Sequence, residues 1–147
     1  MAARLSTGLV NALMGTDSFR ECFALGFIDV YSGTQPTSPD DASGGTPLVT
    51  LSSGGTGTGL SWEAAAVSGV LSKLSSETWQ GTVAADGVAG WFRLRAAGDT
   101  GLLASTTAKR YDGAIGTSGS QMNLGQLSLT APAPFVISAA TFSLPKS

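Results

Sequence analysis

Histidine does not occur in this sequence of 147 residues. The commonest general base and the commonest metal ligand are therefore both missing, and Ser-His-Asp and Cys-His arrangements are excluded with them. The single cysteine, Cys22, excludes an intramolecular disulfide and leaves no metal-binding spacing. Set among Phe19, Phe23 and Leu25, it reads as a buried, inert thiol. Charge is scarce too. Charged residues make up 12% of the chain, about half the usual fraction. The net charge is −2, and the pairs Arg93/Arg95 and Lys109/Arg110 fall far short of a phosphate-tracking stripe, so nucleic acid is not an expected partner. No run approaches the roughly 18–20 apolar residues that span a bilayer. The N-terminal segment is broken by Ser6, Thr7, Gly8 and Asn11, so it lacks the apolar stretch of a secretory signal. The expectation is a protein made in the cytoplasm, soluble or assembling there, with no membrane partner.

What is present is apolar and small. Hydrophobic residues make up 42%, with twenty glycines and many Ser, Thr and Ala. The length suits one domain able to bury a core. A surface with little charge and many small hydroxyl residues suits a protein lying against other protein. An ordinary small β protein with a bland surface accounts for it as well.

Leu5, Leu9 and Leu13, with Val10 and Met14, recur at helical spacing. Gly15 can stop that helix, and Asp17 is a plausible N-cap for a second one carrying Phe19, Cys22 and Phe23. The stripe either covers one opening of a sheet or reaches a neighbouring subunit. Gly26-Phe27-Ile28-Asp29-Val30-Tyr31-Ser32-Gly33 then reads as a strand that ends abruptly, with Phe27, Asp29 and Tyr31 on one face and Ile28 and Val30 on the other. Residues 33–47, rich in Pro, Gly, Ser and Thr, form a long loop of the kind that usually has a function or a partner.

Further strands are expected at 48–51, 70–74, 78–84, 88–95, 102–106, 110–115, 122–124, 127–129 and, as one long strand ended by Pro145, 135–144. Residues 63–67 stay ambiguous between helix and strand. Asp86-Gly87 is the strongest hairpin signal and would join 78–84 to 88–95. In the latter strand Phe92 and Leu94 are assigned to the core, and Trp91, Arg93 and Arg95 to an outer or edge surface. About eight to ten short strands with regular turn signals make a sandwich or barrel. The expected fold is mainly all-β: a jelly-roll-like antiparallel β-sandwich with one or two short N-terminal helices. Residues 1–26 would be the helical segment and 27–147 the sandwich.

Motifs for chemistry are wanting. The Gly-Thr-Ser-Gly-Ser run at 116–120 has Ser where a nucleophile elbow needs its last Gly. The Gly-rich run at 54–59 lacks the Lys-Ser/Thr of a phosphate loop. Asp40 and Asp41 adjoin without calcium-loop spacing and read as a solvated tip. Glu63 and Glu77 would suit an acid–base pair if folding brought them together. No cofactor or metal is expected, and an enzyme is disfavoured.

The Leu-rich N-terminal segment, the motif Gly26-Phe-Ile-Asp-Val-Tyr-Ser-Gly-Thr-Gln-Pro36, Thr46-Pro-Leu-Val-Thr50, Trp79-Gln-Gly-Thr82, Gly90-Trp-Phe-Arg-Leu94, Asp112-Gly113 and the strand from Ile137 to Leu144 together resemble small structural proteins of tailed bacteriophages. The resemblance spans almost the whole chain and rests on structural motifs. It implies a virion component, most like a capsid decoration (cement) protein that binds the major capsid protein lattice at the capsid surface. On that reading the protein is a homo-oligomer, dimer or trimer. Leu5 and Leu9 of the first helix, Gln35, Pro36, Asp40 and Asp41 of the long loop, and Trp91, Arg93 and Arg95 are then the candidate protein contacts. The alternative is a tail or fibre component binding a host receptor or glycan, with Trp62, Trp79 and Trp91 as stacking platforms.

Overall fold

A computed structural model describes residues 3–144. In chain order the elements are β1 (Arg4–Leu5), α1 (Thr7–Met14), α2 (Phe19–Cys22), β2 (Phe27–Ser32), β3 (Val49–Ser53), β4 (Val70–Ser72), β5 (Trp79–Thr82), β6 (Gly87–Arg95), β7 (Arg110–Gly116), β8 (Met122–Asn123), β9 (Ser128–Leu129), β10 (Pro134–Ile137) and β11 (Thr141–Ser143). The architecture is the mainly antiparallel, all-β sandwich expected, with two short N-terminal helices. The main sheet runs β1-β7-β6-β2-β3-β5-β10, and β11 pairs with β4 in a small second sheet. β3 serves two partners along its length: Val49, Thr50 and Leu51 face β2, whereas Ser52 and Ser53 face β5. Such a strand, shared between two sheet segments, turns the corner of a sandwich.

One core cluster joins both layers and the helical segment. Leu9, Cys22 and Phe23 pack with Ile28, Val30, Leu51, Leu60, Trp62, Trp79, Phe92, Leu94 and Phe135. Leu9 is fully buried, so this expected contact residue is a core residue, because the Leu stripe turns inward onto the chain's own sheet. The first residues of that stripe are not helical: Arg4 and Leu5 pair with Asp112 and Tyr111. Ser6 then caps α1, its hydroxyl accepting from Leu9 N at 3.1 Å. For α2 the cap is Ser18 and not Asp17, in a reciprocal capping box with Glu21.

Three strand expectations are overturned. β5 and β6 do not form a hairpin: β5 lies between β3 and β10, and β6 between β2 and β7. The Asp86-Gly87 turn is used otherwise. The Asp86 carboxylate accepts from Ala131 N at 2.7 Å, and Gly87 pairs with Leu129. Residues 102–106 form no strand; they belong to the 96–109 loop. The expected long C-terminal strand splits into β10 and β11, which join different sheets, and its stop at Pro145 lies outside the described residues. The ambiguous 63–67 segment is irregular and largely exposed.

Candidate functional site

Alternation along β6 places Trp91, Arg93 and Arg95 on the face opposite Phe92 and Leu94, as the sequence requires. That face is not an outer surface. Trp91 and Arg93 are 1% and 0% exposed, and Arg95 is half-buried. The loops 33–47 and 96–109 fold back over this face of the sheet, so β6 is covered on both sides.

Beneath the loops lies a grid of ion pairs ordered by strand register. Across β3, β2, β6, β7 and β1 the aligned residues are Thr50, Asp29, Arg93, Asp112 and Arg4. Charges of opposite sign thus stand side by side along the row. Arg93 Nε and Nη2 donate to the two Asp112 oxygens, each at 2.8 Å, and Nη1 donates to the Gly101 carbonyl at 2.7 Å. Arg95 Nε donates to Asp29 at 2.6 Å while its guanidinium lies 4.7 Å from the centre of the Phe27 ring. Arg110 holds Asp99 through Nε at 2.6 Å and Nη2 at 2.9 Å, and reaches the carbonyls of Leu103 and Pro39 at 2.8 and 3.1 Å. The planar guanidinium fork thus binds a carboxylate with one edge and loop carbonyls with the other. Gly101, with φ of 75°, sits where a Cβ would press on Arg95, Asp29 and Arg93, so neither its backbone nor its surroundings admit a side chain easily.

Titration follows from this packing. Burial pushes the Asp112 carboxyl above its usual range, against the pull of Arg93 and Arg110. Burial also pushes Asp99 up, but the hydrogen bonds from Arg110 and Gly101 outweigh it and hold the carboxyl below its usual range. Arg110 is raised in turn, first by its bond to Asp99.

The other expected contacts are largely spent inside the fold. Leu5 is half-buried in β1, and Gln35 is buried. The Pro36 carbonyl accepts from Arg4 at 2.6 Å. Asp40 is no solvated tip: it accepts from Thr7 N and Oγ1 at 2.8 and 2.6 Å, tying the loop to the start of α1. Asp41 is exposed, yet it accepts from Ser38 N at 3.2 Å. Trp62, Trp79 and Trp91 are all buried, so none is an exposed stacking platform on the outer surface. Glu77 accepts from Ser61 N and Trp79 Nε1, and Glu63 from Ser75 N. These two carboxylates fasten backbone and indole. Burial pushes Glu77 up, but its hydrogen bonds hold it below the usual range.

Sequence reading missed Asp29, Asp99 and Asp112 as partners of the arginines, and Arg110 as a member of the grid. The signal was there in part: Asp29, Arg93, Arg95 and Asp112 lie inside strands rich in aromatic and β-branched residues, where an unpaired charge is costly.

Elsewhere, a cavity of about 360 Å³ opens between β8 and the β10–β11 segment, over Ile28 and Phe92. An apolar groove of about 330 Å³ is bordered by Phe19, Leu71, Phe142 and Leu144. Neither is lined by a titratable side chain. Among the described residues no group of three or more His, Cys, Asp or Glu could hold a metal ion, and no helix is long and apolar enough to cross a membrane. Comparison with protein-family models, with curated proteins and with solved structures finds no match. The class that the fold and its ion pairs define is a mainly antiparallel β-sandwich with a polar sheet face buried under its own loops.

Proposed function

We propose that the protein is a non-enzymatic virion structural protein that binds the major capsid protein lattice of a tailed bacteriophage and stabilises the head, acting as a homo-oligomer. One observation carries the physical side of this reading. Among the described residues only Arg20, Glu21, Asp41 and Asp86 are exposed charged residues. Each of these already has a partner within the fold: the Glu63 carbonyl, Ser18 N, Ser38 N and Ala131 N respectively. Docking such a surface against protein strips little water from charged groups and creates few like-charge clashes, which is the composition of an interface core. The resemblance of the sequence to phage structural proteins supplies the partner.

On this reading burial limits the contact surface. It leaves out Leu9, Gln35, Trp91 and Arg93, which are all buried. The exposed, uncharged stretches 44–46, 54–58, 64–69 and 117–119 take their place. The test is electron microscopy of virions with an antibody against this chain. Label on the capsid shell supports the proposal, and label confined to the tail or absent from particles overturns it. Light scattering on the purified protein tests the homo-oligomer, and a monomer at all concentrations removes that part.

A further inference from the structure

Where β2 ends, its register with β6 slips. Tyr31 faces Trp91 and Ser32 faces Ala89, which leaves Gly90 as a bulge. A Cβ on Gly90 would run into the Gly33 carbonyl, so the loop leaves the sheet at close quarters. Between this exit and the returning loop lies a cavity of about 280 Å³, lined in part by Tyr31, Thr34, Ser43, Gly45, Thr46 and Trp91. Its floor is a stacked pair: the Tyr31 and Trp91 rings are 4.3 Å apart and inclined by 13°. The Arg93 guanidinium lies 5.4 Å from the Trp91 ring centre.

Tyr31 is 2% exposed, and its hydroxyl has no hydrogen-bond partner. The neighbouring Ser43 hydroxyl lowers the Tyr31 pKa against the effect of burial, but it donates to the Gly45 carbonyl at 2.7 Å and does not reach the phenol in bonding geometry. Among the described residues the only other buried side chain without a partner is Gln35, next in sequence to the cavity wall at Thr34. Among the described residues every unpaired buried side-chain polar atom therefore falls within five positions, while the buried guanidinium and carboxylate groups are satisfied.

We propose that this cavity binds one ring of a neutral carbohydrate, with the Tyr31 hydroxyl as the buried anchor. No charged side chain lines it, which disfavours ions. The hydroxyls of Tyr31, Thr34, Ser43 and Thr46 both donate and accept, as the hydroxyls of a sugar do. The volume lies near the small end of ligand pockets, about 300 Å³ upward, and fits one ring better than several. Gly44 and Gly45 leave the side toward solvent open, since nothing stands within 4 Å of a Cβ at either position. The inference is independent of attachment to a capsid.

The test uses the full chain and a panel of probes, the methyl glycosides of glucose, galactose, mannose and N-acetylglucosamine, in ligand-observed saturation-transfer NMR with Trp91 indole shifts as the protein readout. At least one glycoside is expected to bind with a dissociation constant on the order of 1 mM and to move the Trp91 signal. Tyr31→Phe keeps the ring stack and removes the hydroxyl, and should weaken binding about tenfold. Ser43→Leu puts bulk beside the Tyr31 hydroxyl inside the cavity and should abolish binding even if Tyr31→Phe does not fold. No binding by any glycoside overturns the proposal. So does binding that survives Ser43→Leu, and so does glycerol binding equally well, since the cavity would then be an additive site only.

Discussion

Asp112 shows what a single residue does here. It is fully buried, binds Arg93 by both oxygens and stands in register between Arg93 and Arg4. Asp112→Asn leaves a guanidinium buried with half its carboxylate contact gone, and breaking one partner of a buried pair typically costs about 3–5 kcal/mol. Urea unfolding should show the midpoint falling with an unchanged slope. The double variant Arg93→Met/Asp112→Leu removes both charges and should recover much of that loss, which separates the cost of an unpaired charge from the worth of the pair. Tyr31 gives a pH-dependent counterpart. Burial, then the nearby Asp29, push its phenol up to about 12. The folded pKa lies above the unfolded value of about 10, so the stabilisation is complete below pH 10 and is lost as pH rises toward 12. A rise of that size corresponds to roughly 3 kcal/mol. Urea unfolding of the parent and of Tyr31→Phe across this range should differ by that dependence.

At the scale of elements, the junction of α1, β1 and the loops is held by a few side chains. The Ser6 hydroxyl donates to the Ala108 carbonyl and accepts from Leu9 N and Arg110 N, and Asp40 clamps Thr7 from the other side. Asp40→Ala should cost about 1 kcal/mol, as the loss of a helix-terminal acceptor does. Hydrogen exchange should quicken in α1 while β2 and β6 stay protected. The sequence made such elements legible to different degrees. The Phe27–Ser32 strand and the Gly15 helix stop followed from alternation and turn chemistry, which are local. The fate of Asp86-Gly87 did not, because Ala131 and Leu129, which claim those residues, are over forty positions away. Alternation correctly put Trp91 and Arg93 on one face. It carried no information that two loops rich in small residues would cover that face. Their attachment rests on backbone carbonyls of Asp41, Pro39, Gly101 and Leu103, which have no signature in residue type. The cavity beside Tyr31 was invisible for the same reason.

For the molecule as a whole, the consequence is that charge works inward. The loops 33–47 and 96–109 are bound to each other, Ser43 N to Leu102 O at 3.2 Å and Ser105 N to Asp40 O at 2.8 Å, and to the sheet through Arg93 and Arg110. They should therefore unfold with the sheet and not before it. Excising 34–45 would remove carbonyls that buried guanidinium groups require, so the expected result is loss of the folded state and not a folded protein lacking one contact. Limited proteolysis of the intact chain should likewise spare 33–47 despite its loop-forming composition, with early cuts there counting against the strapped arrangement. Acid is the gentler probe. Asp99 is held below its usual range in the folded state, so its contribution is present above the unfolded carboxylate pKa of about 4 and is lost as pH falls through the lower folded value. Melting temperature should decline as pH drops below about 4. Asp99→Asn should start from a lower value at neutral pH and lose less on acidification. If the variant follows the parent's acid curve in parallel, Arg110–Asp99 does not couple the straps to the sheet, and the 96–109 loop must be held by its carbonyl contacts alone.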